Sequence, residues 1–436
     1  MSKTAPPIDI AASLDRAPVG RMHIVTMVVC ALAFAFDLFE MALGSALAAV
    51  FSAPPHKLPT EQLSWLLASV YVGAIVGAPL FGWLADRFGR KRLMTFLMAV
   101  LAVTSALAGA SSNSAELGIW RGLSGLALGA YPALMISYLT DLLPARKRGP
   151  LIFLVVGIAS LGAPAGVFLV RSLTPITPFG VEAWRWGFYA GAAGAAAVTA
   201  LLQVLPESPR WLATRGRDAE ALAACLRLAP GMPSLAASEA APPAQDLAPR
   251  KRAWVSVALL FFASPWSTVA FPLLAGALLV SRGFRLSDTL LYVAISNFGP
   301  ALGVMLGALG VDRLERRLTL AVCAMAMLAA GVGFVLADSP TVLMLCSTAF
   351  MLAAALYVPS LSVYGAELFP TRSRAAAFGG AWTFNRAGAA LAPLLLLPLL
   401  HAAGAMALMA VVTVSLLVSL GLLWVAPVGA AKRPIS

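Results

Sequence analysis

Twelve runs of roughly twenty apolar residues, the length needed to cross a bilayer as a helix, dominate the chain. They lie near 23–50, 62–84, 93–112, 116–139, 149–171 and 184–205, and near 254–280, 288–310, 318–337, 340–363, 375–399 and 404–426. Barrel strands are excluded, because they run to about ten residues of alternating polarity. Of the 436 residues, 60% are hydrophobic and 11% charged, with a mean hydropathy of +0.87. A soluble domain carries about 25% charged residues, so neither a soluble enzyme nor a disordered chain fits. The expectation is an all-α integral membrane protein. Residues 1–21 hold no short apolar core, and the run that follows is too long for a signal peptide, so it reads as the first span.

The net charge of +12 has a topological reading. Of 31 Lys and Arg, only Lys57, Arg171, Arg185, Arg282 and Arg285 fall in loops on one side. Two more lie inside spans, and the other 24 share the side of both termini. Basic loops stay in the cytoplasm, so both termini are expected there. Trp184 and Trp186 sit where an interfacial aromatic belt belongs. Nucleic-acid binding has no soluble domain to carry it. Cys30, Cys225, Cys323 and Cys346, with His23, His56 and His401, have no disulfide or metal-ligand spacing, so no metal and no cofactor is expected.

The spans divide six and six. Residues 1–205 form the first half, 206–252 a central cytoplasmic loop and 253–436 the second half. The stretch 213–252 is rich in Ala and Pro and ends in Arg250-Lys251-Arg252, which reads as a linker, with a partner-binding loop as the alternative. The halves repeat each other at one offset of 226 residues. Gly73 and Gly77 recur as Gly299 and Gly303, and Asp86-Arg87 as Asp312-Arg313. Tyr131 recurs as Tyr357; Tyr138, Asp141, Pro144 and Arg148 recur as Tyr364, Glu367, Pro370 and Arg374. Two parallel repeats around a midplane site are a transporter architecture.

Several segments carry a family resemblance. Gly82-Trp83-Leu84-Ala85-Asp86-Arg87-Phe88-Gly89-Arg90-Lys91 resembles the G-x-L-A-D-R-x-G-R-K loop of the major facilitator superfamily. Its second copy has Glu315 where Gly89 stands in the first. Arg121, Gly125 and Gly129 resemble the span-4 motif R-x-x-x-G-x-x-x-G, and Gly162-Ala163-Pro164-Ala165-Gly166 the Gly-Pro motif of span 5. Pro206-Glu207-Ser208-Pro209-Arg210-Trp211-Leu212 and Glu367-Leu368-Phe369-Pro370-Thr371-Arg372, with Arg374, resemble segments after spans 6 and 10 in sugar-porter-like and metabolite:proton symporters. Span 7 reads Ser264-Pro265-Trp266-Ser267-Thr268 and lacks the Q-Q-x-T-G of sugar porters. The nearer resemblance is therefore to the aromatic-acid and metabolite:proton symporters. It implies twelve helices in the major facilitator fold and a monomer. It also implies a loop latch that pairs with the opposite half. The latch residues would be Gly82, Asp86, Arg87, Gly89, Arg90, Asp312 and Arg313, with Glu207, Arg210, Asp141, Arg148, Glu367 and Arg374.

Four formal charges lie well inside the spans: Asp37, Glu40, Arg121 and Arg386. Each costs about 2.5–3.5 kcal/mol at mid-helix, so each is a functional candidate, with a structural ion pair as the bland alternative. Asp37, Glu40 and Gly44 share one helix face. The expected coupling site is Asp37, meeting Arg121 in one conformation only, with Glu40 as the alternative proton carrier; the resemblance implies the same pair. Arg386 lies midway along span 11, and its repeat mate is Ser160. A guanidinium there wants an anion and can hold a carboxylate bidentately. Trp382, Asn385, Asn297, Trp266, Tyr131 and Tyr357 are further candidates for the lining, with helix packing the alternative for each. The expected activity is proton-coupled symport of a small organic anion, in a bacterial inner membrane. The alternatives are a sugar or polyol symporter, a proton-coupled drug exporter, or a non-transporting membrane sensor. No intramembrane His cluster or Ser/His pair suggests an enzyme.

Overall fold

The computed structural model describes residues 10–230, 251–310, 315–367 and 374–425. Every regular element among them is a helix. Lipid offers no hydrogen bonds, so a spanning segment must pair its own backbone, and the apolar runs have that one solution. Spans 1–4 are Arg21–Val50, Thr60–Phe88, Arg90–Ala110 and Ser114–Leu142. Span 5 is built from Arg148–Ala159 and Gly162–Leu173, and span 6 is Ala183–Leu202. Span 7 comprises Lys251–Ala263, Pro265–Thr268 and Ala270–Ser281, and span 8 comprises Leu286–Ser296 and Phe298–Gly310. Spans 9 and 10 are Arg316–Leu336 and Pro340–Glu367.

Among the described residues, ten helices are long and apolar enough to cross a membrane by themselves. Two features bring the crossings to twelve among the described residues. Arg374–Val425 has 52 residues, about 78 Å at 1.5 Å per residue and far beyond one crossing. Its backbone leaves the helical region at Gly404 (φ 77°, ψ −174°), where spans 11 and 12 part. The left-handed φ is one that glycine alone adopts without strain. Span 6 is absent from the ten and packs instead on spans 1, 3 and 5.

Glycine sets the helix spacing. A Cβ on Gly73 would lie 2.0 Å from the Gly122 carbonyl oxygen, and one on Gly77 2.1 Å from that of Leu126, so spans 2 and 4 touch backbone to backbone. Small residues allow this close approach, which gains van der Waals contact where lipid supplies no hydrophobic drive. Spans 8 and 10 meet in the same register, with Gly299 against Thr348 and Gly303 against Leu352.

The two halves touch at the face away from the start of span 1. The Thr60 hydroxyl of span 2 meets His401 Nδ1 of span 11 at 3.2 Å, Arg171 Nε donates to the Ser287 carbonyl at 3.2 Å, and Gly276 packs on Ala49. Spans 5 and 8 carry the contact further, through Phe168 and Phe298 with ring centroids 6.2 Å apart.

The segment after span 6 departs from the linker reading over 213–228. Pro209–Thr214 and Asp218–Leu228 are helices, and Trp211, Leu212, Ala221, Ala224, Cys225 and Leu228 are buried. The last four stand at i, i+3, i+4 and i+7, an apolar stripe that packs whatever the composition around it. Burial there pushes the Cys225 thiol up to about 11.

Candidate functional site

Asp37 and Glu40 are each 1% exposed and Arg121 3%. The expected pairing of Arg121 with Asp37 is not made. Arg121 Nη1 donates to the Glu40 carbonyl oxygen at 3.1 Å and lies 3.6 Å from its carboxylate. Depth is the reason. Spans 1 and 4 run in opposite senses, and Arg121 is seven residues from the start of span 4, roughly 10 Å at 1.5 Å per residue. Glu40 is ten residues from the far end of span 1 and Asp37 thirteen, so Glu40 is a turn nearer the same face. Gly44 makes room: a Cβ there would lie 3.3 Å from Arg121 Nη2. The guanidinium carbon stands 5.6 Å from the centroid of the Phe188 ring, and the Glu40 carboxylate packs on Gly191. The pair is thus enclosed by spans 1, 4 and 6 of the first half and by Leu273 of span 7.

Asp37 faces a different cation. The positive charge acting on it is Arg386 of span 11, and Asp37 and Tyr71 are the groups acting on Arg386. Among the described residues, the acid that acts on Arg386 is Asp37, from the other half. No N–O contact within 4.0 Å joins the two among the described residues. Asp37 Oδ1 and Arg386 Nε are buried without a hydrogen-bond partner, as are Arg121 Nε and both carboxylate oxygens of Glu40. The Arg386 guanidinium carbon lies 5.5 Å from the centroid of the Trp382 ring, which stands edge-on to Phe261.

The remaining candidates divide. Asn385 Nδ2 donates to the Phe261 carbonyl oxygen at 3.2 Å and to Ser264 Oγ at 3.0 Å. Phe261 precedes Pro265 by four residues, so its carbonyl has lost the helical partner that proline cannot supply. Asn385 replaces that bond and braces the break in span 7. Asn297 donates to the Val293 carbonyl of its own helix at 2.7 Å and lines a cavity of about 10 Å³ with Phe271 and Ser347. Trp266 packs beside Phe262, centroids 6.1 Å apart. Tyr131 and Tyr357 are fully buried; the Tyr131 hydroxyl has no hydrogen-bond partner, and that of Tyr357 interacts with Ser419. The larger groove, about 630 Å³ between spans 1 and 5, is lined by Ile24, Val28, Phe36, Leu154 and Ile158 and offers nothing to a charge.

On the face bearing the start of span 1, the latch residues find partners in their own half. Arg90 pairs with Asp141, which also accepts from Ser208 Oγ. Glu207 accepts from the backbone amides of Lys91 (2.9 Å), Arg92 (3.3 Å) and Ser208 (3.0 Å). Gly89, at φ 104°, gives it room, since a Cβ would come 2.4 Å from Glu207 Oε2. The Asp86 carbonyl accepts from Trp211 Nε1 at 2.7 Å, while Arg87 lies over Trp83 and Phe88 and Gly82 faces open space. Arg210 and Arg148 both donate to Asp15, at 2.6 and 2.9 Å. Among the described residues, these contacts form a network within the first half. Asp312 and Arg313 lie outside the described residues, as do the side chains of Glu367 and Arg374.

Sequence reasoning missed Asp15, Tyr71 and Phe188. Tyr71 lies two residues before Gly73, on a helix fixed against span 4, and interacts with both Arg121 and Arg386. Its repeat mate, Asn297, was the only signal available.

The family profile described as Major Facilitator Superfamily matches residues 26–393. A putative metabolite transport protein, YyaJ, of Bacillus subtilis (strain 168) is 25% identical over 88% of this chain and 87% of its own. The niacin transporter NiaP of Acinetobacter baylyi is 26% identical over 89% of each. The xylose transporter XylE from E. coli, in a partially occluded inward open conformation, superposes with a TM-score of 0.76 at 18% identity, covering 95% of this chain and all of that one.

Proposed function

The chain belongs to the Major Facilitator Superfamily, and from that premise we propose that it is a proton-coupled symporter of a small organic anion, an aromatic or other carboxylate. It is a multi-pass membrane transporter rather than an enzyme. In our reading it works by alternating access as a monomer, with the proton as coupling ion and no cofactor. Residues 1–205 and 253–436 move against each other, joined by 206–252. In the same reading both termini lie in the cytoplasm, which the basic loops support, and the membrane is a bacterial inner membrane.

One observation carries the substrate class: Arg386 is a guanidinium at the junction of the halves, with an unpartnered buried nitrogen and an indole beside it. A carboxylate matches the fork of the guanidinium, and an aromatic ring can stack on Trp382. The cargo in the name of the Acinetobacter relative, niacin, is such an acid. Asp37 carries the proton, and Glu40 with Arg121 holds span 1 against span 4.

Ligand-induced thermal stabilisation of the purified protein tests this against carboxylates, sugars, polyols and cationic drugs. A true ligand at a hundred times its Kd stabilises by about 2.7 kcal/mol. Carboxylates are expected to raise the Tm of the wild type, less that of Arg386→Lys, whose point charge does not replace the fork, and not that of Arg386→Ala. Stabilisation by sugars or cationic drugs, equal in all three, would overturn the anion site and favour a sugar porter or an exporter.

A further inference from the structure

Spans 1 and 5 leave an apolar cleft between them. The two touch where Gly162 meets Ala35, since a Cβ on Gly162 would lie 1.9 Å from the Ala35 carbonyl oxygen. Span 5 is interrupted at that level, between Ala159 and Gly162. From the contact the groove of about 630 Å³ runs mainly one way, back to Ile24 on span 1 and to Leu154 on span 5. Those stretches are about 16 and 12 Å long at 1.5 Å per residue. Ile24, Val28 and Leu32 form one wall and Leu154, Ile158 and Leu161 the other, each 42–52% exposed, and every residue lining the groove is apolar. Val28 and Asp37 are two and a half turns apart, so the groove lies on the side of span 1 away from its acids. Apolar side chains exposed there face the hydrocarbon of the membrane.

The groove runs toward the face bearing the start of span 1, and that end is basic. Arg21 precedes Ile24 by three residues and Val28 by seven, so the three share a helix face. Lys147, the cap residue of span 5, precedes Leu154 by seven and Ile158 by eleven, the same stripe on the other wall. Arg21 and Lys147 are exposed, and neither side chain makes a hydrogen bond or an ion pair among the described residues. Asp15, the acid against the start of span 5, is already taken by Arg148 and Arg210. We propose that this cleft binds one anionic phospholipid, with an acyl chain along the apolar walls and the headgroup phosphate on Arg21 and Lys147. The walls hold any chain, and the cations select the headgroup. Long basic side chains at helix ends reach the headgroup layer. A zwitterionic headgroup brings its own cation to two already present. Each basic residue near an anionic lipid strengthens binding about fivefold, so two give about twenty-five-fold.

The test is lipid counting by native mass spectrometry on the delipidated full chain in detergent, with phosphatidylglycerol and phosphatidylcholine of identical acyl chains. The wild type is expected to take up one phosphatidylglycerol about twenty-five-fold more tightly than phosphatidylcholine. Arg21→Gln combined with Lys147→Gln should bring the two lipids level, while Arg92→Gln, at the same face on span 3, keeps the preference. Val28→Trp and Ile158→Trp fill the cleft from opposite walls, and each should weaken both lipids at least about tenfold by taking the surface the chain would bury. Both positions are half exposed, so neither ring is forced into the core, and each variant is expected to keep the lipid-free Tm of the wild type. Glycerol 3-phosphate, a headgroup without chains, should not displace the lipid. Equal binding of the two lipids by the wild type, a preference that survives in the double variant, or undiminished binding in both tryptophan variants overturns the proposal. Displacement by glycerol 3-phosphate makes this a site for free phosphate and overturns it as a lipid site. A dimer that forms without bound lipid and is lost in Val28→Trp gives the face to a second copy of the chain and overturns it as well.

Discussion

Gly122 and Thr348 occupy equivalent places in the two halves, and each offers its carbonyl oxygen to a glycine of the helix beside it. A Cβ on Gly73 would lie 2.0 Å from the first, and one on Gly299 2.6 Å from the second. Gly77 against Leu126 and Gly303 against Leu352 repeat the match. Tyr131 and Tyr357, and Tyr138 and Tyr364, are fully buried in both halves. The four charges inside the spans do not follow this pattern. The mate of Arg121 is Ser347, which hydrogen-bonds Ser296 of span 8. The mates of Asp37 and Glu40 are Ala263 and Trp266, and the mate of Arg386 is Ser160. The comparison teaches that the repeat preserves how helices touch, while the chemistry belongs to single positions.

The strongest way to break this comparison is at Arg121. Arg121→Ala leaves Glu40 buried without its cation and is expected to cost about 3–5 kcal/mol. Ser347→Ala in the second half should cost about 1 kcal/mol. Thermal or denaturant unfolding in detergent reads both, and equal losses would mean that the pair has no special place in the first half. Next come the glycines. Gly73→Val forces a side chain into backbone and is expected to destabilise by about 3 kcal/mol, and Gly299→Val, with the wider gap, by less. The reverse order would show that the second half is the more tightly packed. Asn385→Ala should cost about 1–2 kcal/mol by freeing the Phe261 carbonyl at the break in span 7. Its mate, Ala159, has no side chain for such a task. A loss of that size unaccompanied by loss of ligand stabilisation would confirm the brace as structural. The smallest effect is at Asp15, a partly exposed acceptor for Arg148 and Arg210. Asp15→Asn should cost below about 1 kcal/mol, fading further at high salt.

Much of this was legible in the chain. Apolar run length gave the crossings to within a few residues, and the turn between spans 11 and 12 fell at Gly404, next to the expected gap of 400–403. The offset of 226 residues anticipated the matched glycine contacts. Asp37, Glu40, Arg121 and Arg386 stood out because a charge in lipid demands a reason. What sequence spacing left ambiguous was depth. Asp37 and Glu40 share a helix face, and one turn, about 5.4 Å, decides which of them an arginine from an antiparallel helix can reach. The helix Asp218–Leu228 was hidden by the alanines and prolines around it, although Ala221, Ala224, Cys225 and Leu228 carried the stripe.

The sequence by itself determined that this chain spans a membrane as two related bundles of six helices, because the bilayer excludes every other way of satisfying so much apolar backbone. It also determined which few residues are charged there. Only the tertiary structure decided their surroundings: Arg121 pairs with Glu40 inside one half, while Asp37 makes no ion pair among the described residues and feels the charge of Arg386 from the other half. Electrostatic pairing depends on distances of a few ångströms between separate helices. Those distances follow from how closely glycines let the helices approach and how far each is shifted along its axis.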